Sequence, residues 1–174
     1  MKRSVHTEAA LLLEPVKQAI MLETQGLQFY RVAAERCSNP VAREMFEALA
    51  KDEEQHRAEL EHQFRSLLKQ NKWSPPATAK HPDLKFRNPI IDQSLKKNID
   101  GAWFDFAALQ IGVILERRAL AHYKAQASKA ETPEPRGLFT WLSKWEEGHL
   151  DRLMALEKSM REAIWNDAGF WPLD

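Results

Sequence analysis

The sequence predicts an all-α fold, a four-helix bundle made of two repeated helical hairpins with a long crossover between them. Three observations carry that prediction. The 174 residues include only six glycines and few strand-favouring residues, whereas Ala, Leu, Glu, Lys, Arg and Gln, which lose least on entering a helix, are abundant. Apolar residues recur at helical spacing over four long stretches. The two halves of the chain also match each other at a constant offset of 93 residues.

The elements follow in order. Periodicity begins near Glu8 and runs through "VKQAIMLETQGLQFYRVAAERC" to "SNP", where Ser38 or Asn39 can cap a new helix and Pro40 suits its first turn. The second helix reaches about Lys69, so the first hairpin spans about 8–69. The next stretch carries Pro75, Pro76, Pro82 and Pro89 without sustained periodicity, and it reads as a crossover over about 70–97. A third helix runs from about Asp100 to Ala130, "ETPEP" breaks the chain, and a fourth runs from Pro133 to about Trp165, giving a second hairpin over about 98–165. The tail, 166–174, is irregular and aromatic, suited to a partner contact or to folding back on the bundle. All of this fits one domain, 1–174, large enough to bury a core without cross-links.

At the offset of 93, Glu23 matches Glu116, Tyr30 matches Tyr123, Pro40 matches Pro133, and Phe46 and Leu49 match Phe139 and Leu142. Glu53 and His56 match Glu146 and His149 in the same register, so a Glu-x-x-His pair occurs once in each half. Residues three apart share a helix face, which points each glutamate and its histidine the same way. Glu23 and Glu53 each lie 15 residues from Ser38, and Glu116 and Glu146 each lie 15 from Glu131. At ~1.5 Å per residue, the carboxylates of each hairpin stand level, ~22 Å from their turn. Tyr30, seven residues after Glu23, lies on the same face as that glutamate.

Packed face to face, the hairpins would gather four carboxylates and two imidazoles in one interior. Such a cluster persists only with bound cations or partial protonation. Two divalent metals are the direct solution, and mixed oxygen and nitrogen donors suit iron or manganese better than structural zinc. One glutamate from each of two helices, with Glu-x-x-His from each of the other two, is the arrangement of di-iron carboxylate bundles.

The segments "AIMLETQGLQFYRVAAERC", "FEALAKDEEQH", "VILERRALAHY" and "FTWLSKWEEGH" resemble the four motif helices of the rubrerythrin-like branch of the ferritin-like superfamily. The resemblance spans nearly all of the chain except the crossover and the tail. It implies a ferritin-like bundle with two iron ions per site, or manganese, held by Glu23, Glu53, His56, Glu116, Glu146 and His149. It also implies that Glu53 and Glu146 bridge, that the other four ligands are terminal, and that Tyr30 and Tyr123 tune the carboxylates by hydrogen bonding. A homodimer, with dioxygen or hydrogen peroxide as reactant, belongs to the same implication. Two positions depart from the family pattern. Only Cys37 is present where rubrerythrins proper carry a four-cysteine rubredoxin module, so electrons would come from a separate electron-donor protein or the substrate. Ala119 stands where those proteins have an additional glutamate, and the remaining set resembles the symmetric sites of other ferritin-like oxidases.

Formal net charge is zero with both signs interspersed, which argues against nucleic acid or an anionic membrane as partner. One cysteine allows no internal disulfide, "AALLL" is too short for a signal-peptide core, and no apolar run reaches membrane length, so the expected location is cytoplasmic. Glu54 and Glu147 point away from the ligands toward solvent, and His6, His62, His81 and His122 are expected on the surface. Cys37 is expected as a semi-buried filler and Trp141 and Trp145 as packing residues, while Asp52 or Asp151 could orient a ligand histidine. The leading function is a di-iron oxidoreductase that oxidises Fe(II) or reduces peroxide or dioxygen. Hydroxylation of an organic substrate, which needs an apolar pocket beside the metals, and a non-catalytic metal-binding or interaction module are the alternatives.

Overall fold

In the computed structural model the described residues are 5–74 and 99–167, with side chains over 13–74 and 103–162. They form four α-helices: α1 (Val5–Arg36), α2 (Pro40–Gln70), α3 (Ile99–Lys129) and α4 (Pro133–Asp167). The prediction of four helices in two hairpins holds, with each boundary within a few residues of expectation. Helix α4 continues through Asn166 and Asp167, so the start of the expected irregular tail is helical. The rest of that tail, most of the 70–97 crossover, and the side chains of His6 and His81 lie outside the described residues.

Local chemistry sets the helix ends. Asn39, not Ser38, caps α2: its side-chain oxygen accepts from the Val41 and Ala42 amides at 2.8 and 3.1 Å, and Pro40 follows where a missing N–H costs nothing. Ser38 turns instead to Asp105 of α3. Asp105 is buried and accepts from Ser38 N and Oγ at 3.1 and 2.9 Å and from Asn39 N at 2.7 Å. Helix α2 ends where Asn71 adopts a left-handed conformation (φ 52°) and its amide reaches the Leu67 carbonyl. Residues 72–74 then fold back along α2, held by Ser66 Oγ on the Lys72 carbonyl and by Gln63, which donates to the Ser74 carbonyl and accepts from its amide. The crossover therefore starts back along the bundle.

The repeat seen in the sequence is a pseudo-twofold in space. Arg43 Nη2 donates to the Cys37 carbonyl at 2.6 Å, and its counterpart Arg136 donates to the Ala130 carbonyl at 2.7 Å, so both hairpin turns carry the same latch. Tyr30 stacks on Phe46 at 6.0 Å and 19°, and Tyr123 on Phe139 at 6.1 Å and 23°. Arg31 pairs with Glu54 at 3.0 Å, and Lys124 with Glu147 at 2.7 Å. Glu54 and Glu147 are exposed as expected, yet each is engaged with the neighbouring helix of its hairpin.

Tyr30 of α1 bonds Glu116 of α3 and Tyr123 of α3 bonds Glu23 of α1, so these two helices run antiparallel. The core divides into two apolar clusters. One, around Tyr30, Phe46, Leu49, Leu109 and Leu156, lies toward the α1–α2 turn; the other, around Leu60, Tyr123, Leu138, Phe139 and Leu142, lies toward the α3–α4 turn. A polar layer separates them.

Replacing Asp105 with Ala removes a charged acceptor from three donors at the α1–α2 turn. The expected loss is about 2–4 kcal/mol in denaturant unfolding. A loss under ~0.5 kcal/mol would mean that the turn holds without the α3 clasp.

Candidate metal centre

Each helix contributes to the polar layer: Glu23 from α1, Glu53 and His56 from α2, Glu116 from α3, and Glu146 and His149 from α4. None of the six is more than 3% exposed. The structure thus brings together all six residues singled out in the sequence.

They form two overlapping sets, Glu23, Glu53, His56 and Glu146, and Glu53, Glu116, Glu146 and His149. Within each set one donor atom per residue lies within 4.8 Å of the others. Glu53 and Glu146 belong to both sets, as the bridging role requires. Both imidazoles aim Nδ1 inward. His56 Nδ1 is 3.2 Å from Glu23 Oε2 and 3.4 Å from Glu146 Oε1, while His149 Nδ1 is 3.3 Å from both Glu53 Oε1 and Glu146 Oε2. The rings stack at 5.5 Å and 22°.

His149 Nδ1 and both Glu146 oxygens are buried and make no hydrogen bond. Buried polar atoms without well-aligned partners are costly, and a divalent cation among them, binding His149 in its neutral form, would satisfy all three at once. The donor set, four carboxylates and two imidazoles, fits two such ions. Gly26 fits the same picture: a Cβ there would come 3.2 Å from Glu53 Cδ, so the absent side chain leaves room for the shared carboxylate.

The tyrosines bond across the pseudo-twofold, each to the glutamate of the opposite half, Tyr30 to Glu116 and Tyr123 to Glu23. Sequence reasoning had each tyrosine on the face of its own glutamate but could not see which partner it meets. Burial, then the Glu116 charge, holds the Tyr30 phenol well above its ordinary range, and burial with Glu23 does so for Tyr123. Both remain hydrogen-bond donors.

Around the six, two further groups matter. His149 Nε2 donates to Asp52 Oδ2 at 3.2 Å, and Asp52 also lies 3.5 Å from Arg152 Nη2. Of the two acids singled out in the sequence, Asp52 is therefore the one that orients a histidine of the layer, while Asp151 is exposed. Trp145 and Trp141 pack edge-on against His56 at 5.1 and 5.5 Å, so their packing role is at the site itself. His62 is exposed, but His122 departs from expectation. It is half-buried, donates to the Pro15 carbonyl at 3.2 Å and contacts Tyr123 and Phe139, with burial lowering its pKa. Cys37 is fully rather than partly buried, and burial raises its thiol pKa.

Without metal, protons carry the charge balance. Burial, then the Glu23 and Glu146 charges, pushes Glu53 well up; burial and Glu146 raise Glu116 to about 8. Burial lowers His56, but the Glu23 charge outweighs it and lifts the imidazole to about 9. Burial likewise opposes a charged His149, and Glu146 and Glu116 override it. Burial would raise Glu146, yet the Glu116 carboxyl and the His149 charge hold it well below the ordinary carboxylate range.

These shifts give the metal-free chain a signed pH dependence. Glu116 titrates at about 8 folded against 4.5 ordinarily, so folding binds a proton in that interval and stability falls as pH rises through it. His56 titrates at about 9 against 6.5, so its stabilising charge is fully present below 6.5 and lost as pH rises through 9. Metal-free protein is expected to lose on the order of a few kcal/mol between pH 6.5 and 9, and bound divalent metal to abolish the loss. Equal denaturant midpoints at both pH values without metal would contradict these assignments.

A search of curated proteins and a search of solved structures each returned no match. The family model described as Rubrerythrin matches residues 14–157, a span that begins before Glu23, ends beyond His149 and takes in every residue of the polar layer. On that match, with the bundle and its central carboxylate and histidine layer, the chain belongs to the rubrerythrin family.

Proposed function

We propose that the chain is a non-haem di-iron oxidoreductase that oxidises Fe(II) at the expense of hydrogen peroxide or dioxygen. The observation that carries this reading is the pair of buried four-residue donor sets sharing Glu53 and Glu146. Glu53 and Glu146 would bridge, Glu23 and Glu116 would each complete one position, and His56 and His149 would bind through Nδ1. Two Fe(II) ions held there would supply the two electrons that, with two protons, reduce hydrogen peroxide to two waters.

The protein residues supply position and exclusion. Tyr30 Oη and Tyr123 Oη each hold a proton on a terminal carboxylate, which fixes one oxygen and leaves the other free to bind. The apolar clusters on both sides of the layer limit water access and sharpen every electrostatic interaction within it. Cys37 is the one cysteine among these 174 residues, so electrons for re-reduction would come from outside them, from an electron-donor protein or from the substrate.

Hydroxylation of an organic substrate receives less support. Of the two cavities described, one of about 570 Å³ lies between α1 and α2 and is lined by Arg31, Glu35, Arg43, Glu47, Lys51 and Glu54. The other, of about 410 Å³, lies along α4 by Arg136, Thr140, Trp141 and Lys144. Neither is lined by a ligand. Among the described residues no helix is long and apolar enough to cross a membrane. Exposed Trp103, Ile111 and Ile114, aligned along α3, support a homodimer, and sedimentation as a monomer at micromolar concentration would remove that part of the proposal.

The test is anaerobic Fe(II) titration of metal-free protein, followed by peroxide or oxygen while the near-ultraviolet absorbance of oxidised iron is recorded. Saturation at two irons per chain with a new band is the expected result. Because Glu53 and Glu146 are shared, Glu53→Ala or Glu146→Ala should weaken both positions, whereas Glu23→Ala or Glu116→Ala should weaken one. Unchanged stoichiometry and affinity in both Glu53→Ala and Glu146→Ala would refute the assignment. Tight metal binding with no reaction would leave a non-catalytic metal module.

A further inference from the structure

The pseudo-twofold that relates the two halves breaks behind the histidines. His149 Nε2 donates a hydrogen bond to Asp52 Oδ2 at 3.2 Å. Asp52 in turn faces Arg152, whose Nε is fixed on the Gly148 carbonyl at 3.1 Å. At the offset of 93, the counterpart of Asp52 is Trp145 and the counterpart of Arg152 is Glu59. Trp145 does occupy the matching place, 5.1 Å from the His56 ring, with Trp141 at 5.5 Å on the same ring. His56 Nε2 is buried and has no hydrogen-bond partner. The same location thus holds a carboxylate for one histidine and indoles for the other.

Resting on the di-metal reading above, we propose that the two positions are unequal by construction. The position of Glu53, Glu116, Glu146 and His149 is organised by Asp52 and Arg152 and takes the first metal ion; the position of Glu23, Glu53, His56 and Glu146 fills second and more weakly.

The reason is the state each imidazole must reach to bind. Coordination through Nδ1 needs a neutral ring with its proton on Nε2. For His149 that proton has an anionic acceptor, which fixes the tautomer, orients the ring and raises the basicity of Nδ1. For His56, Nε2 makes no hydrogen bond, and the indole rings packed on the imidazole at 74° and 79° to it offer at best weak π acceptance. Carboxylate number does not distinguish the positions, since each has two shared glutamates and one of its own, itself held by a tyrosine across the bundle. Asp52 is thereby a positioning residue, and loss of such a partner typically lowers metal affinity about 10–100-fold.

Anaerobic titration of metal-free protein with Co(II), read by its visible ligand-field bands and by calorimetry, tests this. The expected wild-type isotherm has two steps separated by at least about tenfold. His56→Ala should keep the tight step and lose the weak one, and His149→Ala the reverse. Asp52→Ala should weaken the tight step about 10–100-fold, leave the weak step in place and shift the first Co(II) spectrum. Asp52→Asn, whose amide oxygen can still accept from Nε2 and whose shape preserves the packing, should recover part of the loss. Two indistinguishable steps in wild type, a tight step that survives His149→Ala, or an Asp52→Asn titration and spectrum identical to wild type would each overturn the inequality. No Co(II) binding in wild type would instead overturn the di-metal reading on which it rests.

Discussion

The constraint on which the structure depends is the cost of burying four carboxylates in the middle of a helical bundle. An isolated buried carboxylate costs several kcal/mol even after relaxation, and four within a few ångströms repel one another as well. The bundle meets this by placing two imidazoles among them, by bonding a tyrosine to each of the two unshared glutamates, and by leaving Glu53 and Glu116 protonated while metal is absent. Metal ions would replace those protons with fixed positive charge. Affinity should therefore be linked to pH by the same groups that set the stability of the metal-free chain.

Symmetry is the means by which one short pattern serves four helices. A hairpin alone could not bury Glu23, Glu53 and His56, because their face would meet water; a second hairpin turned through a pseudo-twofold covers that face with the same residues. The cross-bonding of the tyrosines follows. In an antiparallel pair, a residue seven positions past a glutamate lies about 10 Å along the axis, beyond reach of its own carboxylate, and it meets the other helix's glutamate instead. Tyr30 and Tyr123 therefore tie α1 to α3 and hold the two unshared carboxylates in one step.

Much of this was legible in the sequence because periodicity and repetition are local properties. Pro40 and Pro133, the level glutamates and the two Glu-x-x-His pairs fix the helices, the register within each hairpin and the faces that meet. What stayed hidden depends on pairs brought together across the bundle. Asp105 reads as one polar residue in an apolar run, and only the packing of α3 against the α1–α2 turn reveals it as the acceptor for Ser38 and Asn39. Asp52 and Asp151 were equivalent by spacing; the position of α4 beside α2 selected Asp52. Arg43 and Arg136 did repeat at the offset, but their partners are backbone carbonyls, which carry no sequence signal.

Two departures from the repeat lie next to its matched polar residues. The six clustered glutamates and histidines, the tyrosines, the latching arginines and the turn prolines are matched. Gly26 against Ala119, and Asp52 against Trp145, are not. These two mismatches lie beside the polar layer: a Cβ at Gly26 would crowd Glu53, and Asp52 and Trp145 stand behind the two histidines. Differences next to matched donor residues would act on each position's affinity and freedom to rearrange while leaving the donor atoms the same. A symmetric ligand set in an asymmetric surround is thus the feature that would let one bundle treat its two metal positions differently.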